Sequence, residues 1–125
     1  MEKKIIFTSN APEPIGPYSQ AVLLGNTLYC SGQIALNTKG ELINDSIELE
    51  TKQVMHNIGE LLKAADMDYS NIVKTSIFLT DMGNFAKVNA VYATYFTKDF
   101  PARETIQVSA LPKNVNIEIT VIASK

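Results

Sequence analysis

The chain has a single cysteine, Cys30, and a single histidine, His56. An internal disulfide is impossible, and soft or imidazole ligands are too few for a zinc site, so we expect no metal and a reducing compartment, the cytoplasm. With one histidine, no serine elbow and no reactive-cysteine signature, nucleophilic hydrolysis of the Ser-His or Cys-His kind is not indicated. Glycine-rich phosphate loops are absent. No block of lysine or arginine forms a footprint for nucleic acid: 11 basic residues face 13 acidic ones, for a net charge of -2. Long apolar runs are missing too. The opening MEKKIIFTSN falls short of a signal peptide's hydrophobic region, and nothing approaches a membrane-spanning length. With no linker, repeat or low-complexity segment, residues 1–125 are expected to form one domain.

What is present is a globular balance, 46% hydrophobic and 19% charged residues. A chain of this length buries roughly two thirds of its unfolded surface. KIIFTS (4–9) is a short β-prone run, and residues 19–25 and 27–36 flank Gly25-Asn26, a turn dipeptide that predicts a hairpin. Asp45 and Glu48 have capping-box spacing. From there Ile47, Val54, Ile58, Leu61, Leu62 and Ala65 recur at helical steps, predicting an amphipathic helix of about five turns with His56 off its stripe, in solvent. NIVKTSIFLT (71–80) reads as a central strand, and Phe85, Val88, Tyr92, Tyr95 and Phe96 share one face of a second helix that ends before Pro101. ARETIQVSAL (102–111) and VNIEITVIA (115–123) both alternate: Val115, Ile117, Ile119, Val121 and Ala123 oppose Asn116, Glu118, Thr120 and Ile122, while Ile106, Val108 and Ala110 oppose Arg103, Thr105 and Gln107. One face reads as core and the other as mixed, with PKN between the strands as a short hairpin loop. The order is β-β-β-α-β-α-β-β. It predicts an α+β two-layer sandwich, with two helices on one face of an antiparallel or mixed sheet. The other face keeps Phe78, Ile122, Leu23 and Ile34 as apolar candidates for self-association.

Several polar residues stand out from this pattern. Pro12, Pro14 and Pro17 stiffen the segment that leads into Tyr18, so that Tyr18 either docks its ring on the core or presents a phenol to a pocket. Asn89 sits at the border of the second helix's apolar face, as a satisfied structural amide or as a ligand-binding one. Glu118 lies mid-strand, where glutamate is a poor β former, so its face is open to solvent or it has a purpose. Arg103 can anchor a carboxylate through two parallel hydrogen bonds, or pair with Glu118 or Glu104. Ser31 and Gly32 close an apolar run as a bend or as the lining of a cleft. Cys30 reads as an inert core thiol.

Through IGPYSQA, YCSGQIAL, VNAVYATYF, PARETIQVSALP and VNIEITVIA the chain resembles, end to end, the RidA family, also called the YjgF-type reactive-intermediate deaminases. The resemblance implies a chorismate-mutase-like α+β domain and a homotrimer with clefts between subunits. It implies hydrolysis of 2-iminobutanoate and 2-iminopropanoate, released by pyridoxal-phosphate enzymes as enamines and imines, to 2-keto acids and ammonia. It implies Arg103, Glu118 and Tyr18 as the catalytic set, with Arg103, Ser31, Gly32, Asn89 and Thr105 holding substrate, and no metal or organic cofactor. Thr105 replaces the cleft thiol familiar in the family, and Gln107 stands where an acid is frequent. The alternative, drawn from branches that lack the catalytic set, is a non-catalytic trimeric binder or sensor of small 2-keto acids. Nuclease activity, attached to some relatives, is disfavoured by the acidic balance.

Overall fold

Alternation and helical periodicity build the expected order. The computed structural model describes residues 1–125, with strands β1 (Lys3–Ile6), β2 (Ala21–Leu24) and β3 (Thr27–Cys30), helix α1 (Ile47–Ala64), strand β4 (Ile72–Leu79), helix α2 (Phe85–Ala93), and strands β5 (Ala102–Gln107) and β6 (Ile117–Ser124). The six strands form one mixed sheet in the order β1-β2-β3-β6-β4-β5, in which only β4 and β5 run parallel. Parallel neighbours need a crossover, and α2 supplies it. Both helices pack on one face, and no helix is long and apolar enough to cross a membrane.

Helix α1 starts one residue later than the Asp45 capping box suggests: Ser46 is the cap, and its hydroxyl accepts from Leu49 N–H at 3.1 Å. It ends on Asp66, which adopts a left-handed φ of 58°. The N–H groups of Asp66 and Met67 donate back to the carbonyls of Lys63 and Leu62, closing a Schellman motif, and Met67 tucks into the core. Val54, Ile58, Leu61 and Leu62 are buried as the periodicity requires, but so are Glu50, Thr51 and Asn57. His56 is exposed. Helix α2 is shorter than its apolar pattern, with Tyr95 and Phe96 packing from the turn that follows it.

In β6, Ile117, Ile119, Val121 and Ala123 are buried beneath the helices, while Glu118, Thr120 and Ile122 lie on the open face, as the alternation predicts. Three expectations are corrected. Pro112–Asn114 is a tight turn, with the N–H groups of Asn114 and Val115 donating to the carbonyls of Leu111 and Pro112, and not a hairpin loop, because β4 is inserted between β5 and β6. The faces of β5 are also inverted: Arg103 and Thr105 pair with Thr75 and Ile77 on the helix side, and Ile106 is left 45% exposed on the open side. An edge strand beneath a short helix cannot be fully covered, so its inner face tolerates an arginine whose stem lies along aromatic rings. Leu23, opposite Leu28, likewise packs toward the core and not on the open face.

The open face carries an apolar row, Ile5, Val22, Tyr29 and Ile122, matched in register across four strands. Beside it Glu104 turns to Ser76, whose hydroxyl donates to it, and to Lys74 at 3.4 Å. Glu104 is therefore engaged away from Arg103.

Candidate functional site

Tyr18 owes its position to a buried amide. Gln20, 2% exposed, accepts from Thr8 N–H at 2.8 Å and donates to the carbonyls of Thr8 and Pro12 at 3.0 and 2.9 Å. This ties the proline segment to the start of β2, which leaves Gly16 at a φ of 122° that L side chains avoid. Tyr18 N–H then donates to Gly16 O, and the phenol oxygen accepts from Ile15 N–H at 3.3 Å, with the ring half exposed. The loop presents the phenol outward instead of docking it.

Beyond β3 the chain rejoins the sheet where Gln33 and Ile119 exchange backbone hydrogen bonds of 2.8 and 3.1 Å. That register lays Gly32 against Glu118. A Cβ at position 32 would collide with the Glu118 carboxylate and come within 3.1 Å of Thr120 Oγ1, so glycine is what lets the carboxylate lie here. Asn57, buried on α1, donates to the carbonyls of Ile34 and Leu36 at 3.1 and 2.9 Å and fixes the next stretch. Between these segments lies a cavity of about 320 Å³, lined by Pro12, Ile15, Tyr18, Gly32, Lys113 and Glu118 among others. Partial burial pushes the Glu118 carboxyl above its ordinary value of 4.5.

A second cluster lies on the helix side. Arg103 Nη1 donates to Asn89 Oδ1 at 2.6 Å, and its guanidinium lies 5.2 Å from the Tyr92 ring centroid and 5.6 Å from that of Phe85. The Tyr92 hydroxyl donates to Thr75 Oγ1 at 3.0 Å, which fixes the ring on which the arginine rests. Neither of the chain's two ion pairs includes Arg103. Its planar fork is thus aimed and still has donors to give to an anion. Two residues along, Thr105 Oγ1 is buried without a hydrogen-bond partner.

The structure thus gathers Tyr18, Gly32 and Glu118 at one place and Arg103, Asn89 and Thr105 at another. Within one chain the two groups belong to opposite faces of the sheet, since Glu118 pairs with Phe78 on the open side and Arg103 with Thr75 beneath α2. Ser31 joins neither through its hydroxyl, which donates to Ser19 O at 2.6 Å and secures the proline segment a second time. Cys30 is buried, its thiol pushed up to about 12 by desolvation, as an inert core residue should be. Gln20, Asn57 and Glu50 are the shaping residues that sequence reasoning passes over. The available signal was a polar residue on an apolar stripe, as with Glu50 one turn before Val54.

Residues 8–125 match the family model described as Endoribonuclease L-PSP. The human 2-iminobutanoate/2-iminopropanoate deaminase is 48% identical over 97% of this chain and 89% of its own. A Yersinia pestis protein of the Rid family superposes with a TM-score of 0.96 at 48% identity, covering 99% of this chain and 100% of that one. The Escherichia coli TdcF structure with bound serine gives 0.93 at 36% identity, over 98% of both chains.

Proposed function

The chain belongs to the Endoribonuclease L-PSP family, the RidA/YjgF family of these relatives, and from that premise we propose that it is a 2-iminobutanoate/2-iminopropanoate deaminase acting in the cytoplasm. The observation that carries this reading is Arg103: a guanidinium oriented by Asn89, backed by two rings and free of any acidic partner. Such a group suits the carboxylate of a 2-imino acid. Glu118 supplies the proton chemistry. As a carboxylate it takes a proton from water while the water oxygen bonds to the C=N carbon and the π pair moves to nitrogen. It then returns that proton to the nitrogen to give the carbinolamine, and in a second transfer it carries the O–H proton to the same nitrogen as the C–N bond breaks, so that ammonia leaves and the keto group forms. Tyr18 covers the substrate and hydrogen-bonds to it, while the Gly32 N–H and Asn89 hold it in register. Ser31 fixes the Tyr18 segment, and the Thr105 hydroxyl, without a partner of its own, is available to substrate.

Because one chain places Arg103 and Glu118 on opposite faces, the cleft in this reading joins two copies, one giving Arg103, Asn89 and Thr105 and the next giving Tyr18, Gly32 and Glu118, in a closed trimer. The exposed row through Ile5 and Tyr29 supports burial of the open face in such an assembly. Mixing inactive Arg103→Ala and Glu118→Ala proteins under subunit exchange should restore about a quarter of wild-type keto-acid release, since one interface in four then pairs two intact halves. No recovery in the exchanged mixture would place both residues in one chain's site.

The Glu118 carboxyl gives a second test. Its ionised form is the base, so kcat should rise with pH along a limb displaced above the ordinary carboxylate range. Glu118→Gln should flatten that limb. The stability linkage has the opposite sign. A raised carboxyl contributes stability that is complete below its unfolded value and is lost as pH rises through the folded one, so Glu118→Gln should gain most against wild type at pH above the raised folded value. A protein that binds 2-ketobutanoate but never accelerates imine hydrolysis would instead be the non-catalytic sensor; the serine held by TdcF is a small carboxylate of the size such a cleft would hold.

A further inference from the structure

Glu50 is wholly buried in the first turn of α1, and neither ion pair of the chain involves it. A carboxylate without a cation is among the costlier groups to bury. Both its oxygens go to one residue. Oε2 accepts from Asn116 N–H and Oε1 from Asn116 Nδ2, each at 2.8 Å, across 66 residues of sequence. On its other side, the Asn116 carbonyl accepts from Thr80 N–H at 3.2 Å, at the end of β4.

Asn116 sits at a sensitive point. Just upstream, beyond Val115, Lys113 and Asn114 both adopt left-handed φ values, 56° and 55°, which non-glycine residues keep only when their surroundings hold them. Two residues after it comes Glu118. Pro112, Lys113 and Glu118 all line the cavity, so the strained turn and the acid flank a single fixed residue. We propose that Glu50 is a positioning residue: its two-armed hold on Asn116 sets the Pro112–Asn114 turn and the first residues of β6, and thereby aims the Glu118 carboxyl into the cavity. It touches no substrate and acts only through Asn116. This inference rests on the reading of Glu118 as the reacting acid, but its geometry does not.

The test follows the Glu118 carboxyl by ¹³C NMR titration in wild type, Glu50→Ala and Glu50→Gln, with Glu118→Gln to assign the signal. The charged or titratable groups that share the cavity with Glu118 are Glu13 and Tyr18 from the proline segment and Lys113 from the turn; Phe78 and Gly32 on the flanking strands carry no charge. Glu50→Ala should move the Glu118 titration down toward 4.5 as the carboxyl swings out into water. Glu50→Gln should leave it as in wild type, because the amide accepts from Asn116 N–H and donates to a rotated Asn116 Oδ1. In the keto-acid assay Glu50→Ala should lower kcat roughly tenfold to a hundredfold at little change in KM, and Glu50→Gln should restore it. A folded Glu50→Ala protein whose Glu118 titrates as in wild type would overturn the proposal. If Glu50→Ala does not fold, Asn116→Ala, which keeps the backbone arm and loses the other, should give an intermediate shift, and no shift would overturn it equally. Wild type without deaminase activity but with these titrations would remove the functional reading and leave the positioning role standing.

Discussion

Arg103→Ala is expected to remove nearly all keto-acid release from 2-aminoacrylate generated in situ by a serine dehydratase. Two charge-assisted hydrogen bonds to a carboxylate are worth about 3–6 kcal/mol together, so kcat/KM should fall by roughly two to four orders of magnitude. Little stability should go with it, because Arg103 is only half-buried on an edge strand. Arg103→Lys should recover a minor part: the charge returns, but the planar fork that rests on Tyr92 and meets Asn89 at 2.6 Å does not. Melting curves and kinetics on the same preparations separate the two effects. Wild-type turnover in a folded Arg103→Ala protein would dismiss the carboxylate anchor and, with it, the mechanism.

A large loss of stability should come from Gln20→Ala. Its amide meets Thr8 N–H and the carbonyls of Thr8 and Pro12, and its removal leaves backbone groups unpaired in a nearly closed space. At about 1–3 kcal/mol for each buried group left unsatisfied, with water reaching some of them, a loss of about 3 kcal/mol is expected, or roughly 10–15 °C in Tm. The effect should also reach function. Freed from Gln20, the proline segment no longer sets the exit direction of Tyr18, so turnover should fall further than Tyr18→Phe alone lowers it. A Gln20→Ala variant that melts within about 1 °C of wild type would show that the prolines alone hold the segment.

Much of this could be read from residues a few positions apart. The alternation of VNIEITVIA settled which side chains of β6 face the helices, and Glu118 emerged on the open side as expected. The stripe through Val54, Ile58 and Leu61 found α1 to within a residue at its start; Ser46 displaces Asp45 as cap because either oxygen can serve, and only the packed helix fixes the phase. The same local reading misassigned β5. Ile106 and Val108 looked like a core face and Arg103 like an exposed one, since alternation says that two faces differ without saying which of them a helix will cover.

By itself, then, the sequence determined the element order, the two helical faces, the buried side of β6, the stiffness of the segment before Tyr18, and the residue types on which an imine chemistry can draw. Only the tertiary structure decided where those residues go. Inserting β4 between β5 and β6 sends Arg103 and Glu118 to opposite faces, and folding α1 over the sheet brings Glu50 to Asn116. The physical reason is the range of the forces involved. Helical and strand periodicities are local and visible in a short window, whereas strand pairing and the satisfaction of buried polar groups join residues tens of positions apart and are settled only when the whole core closes.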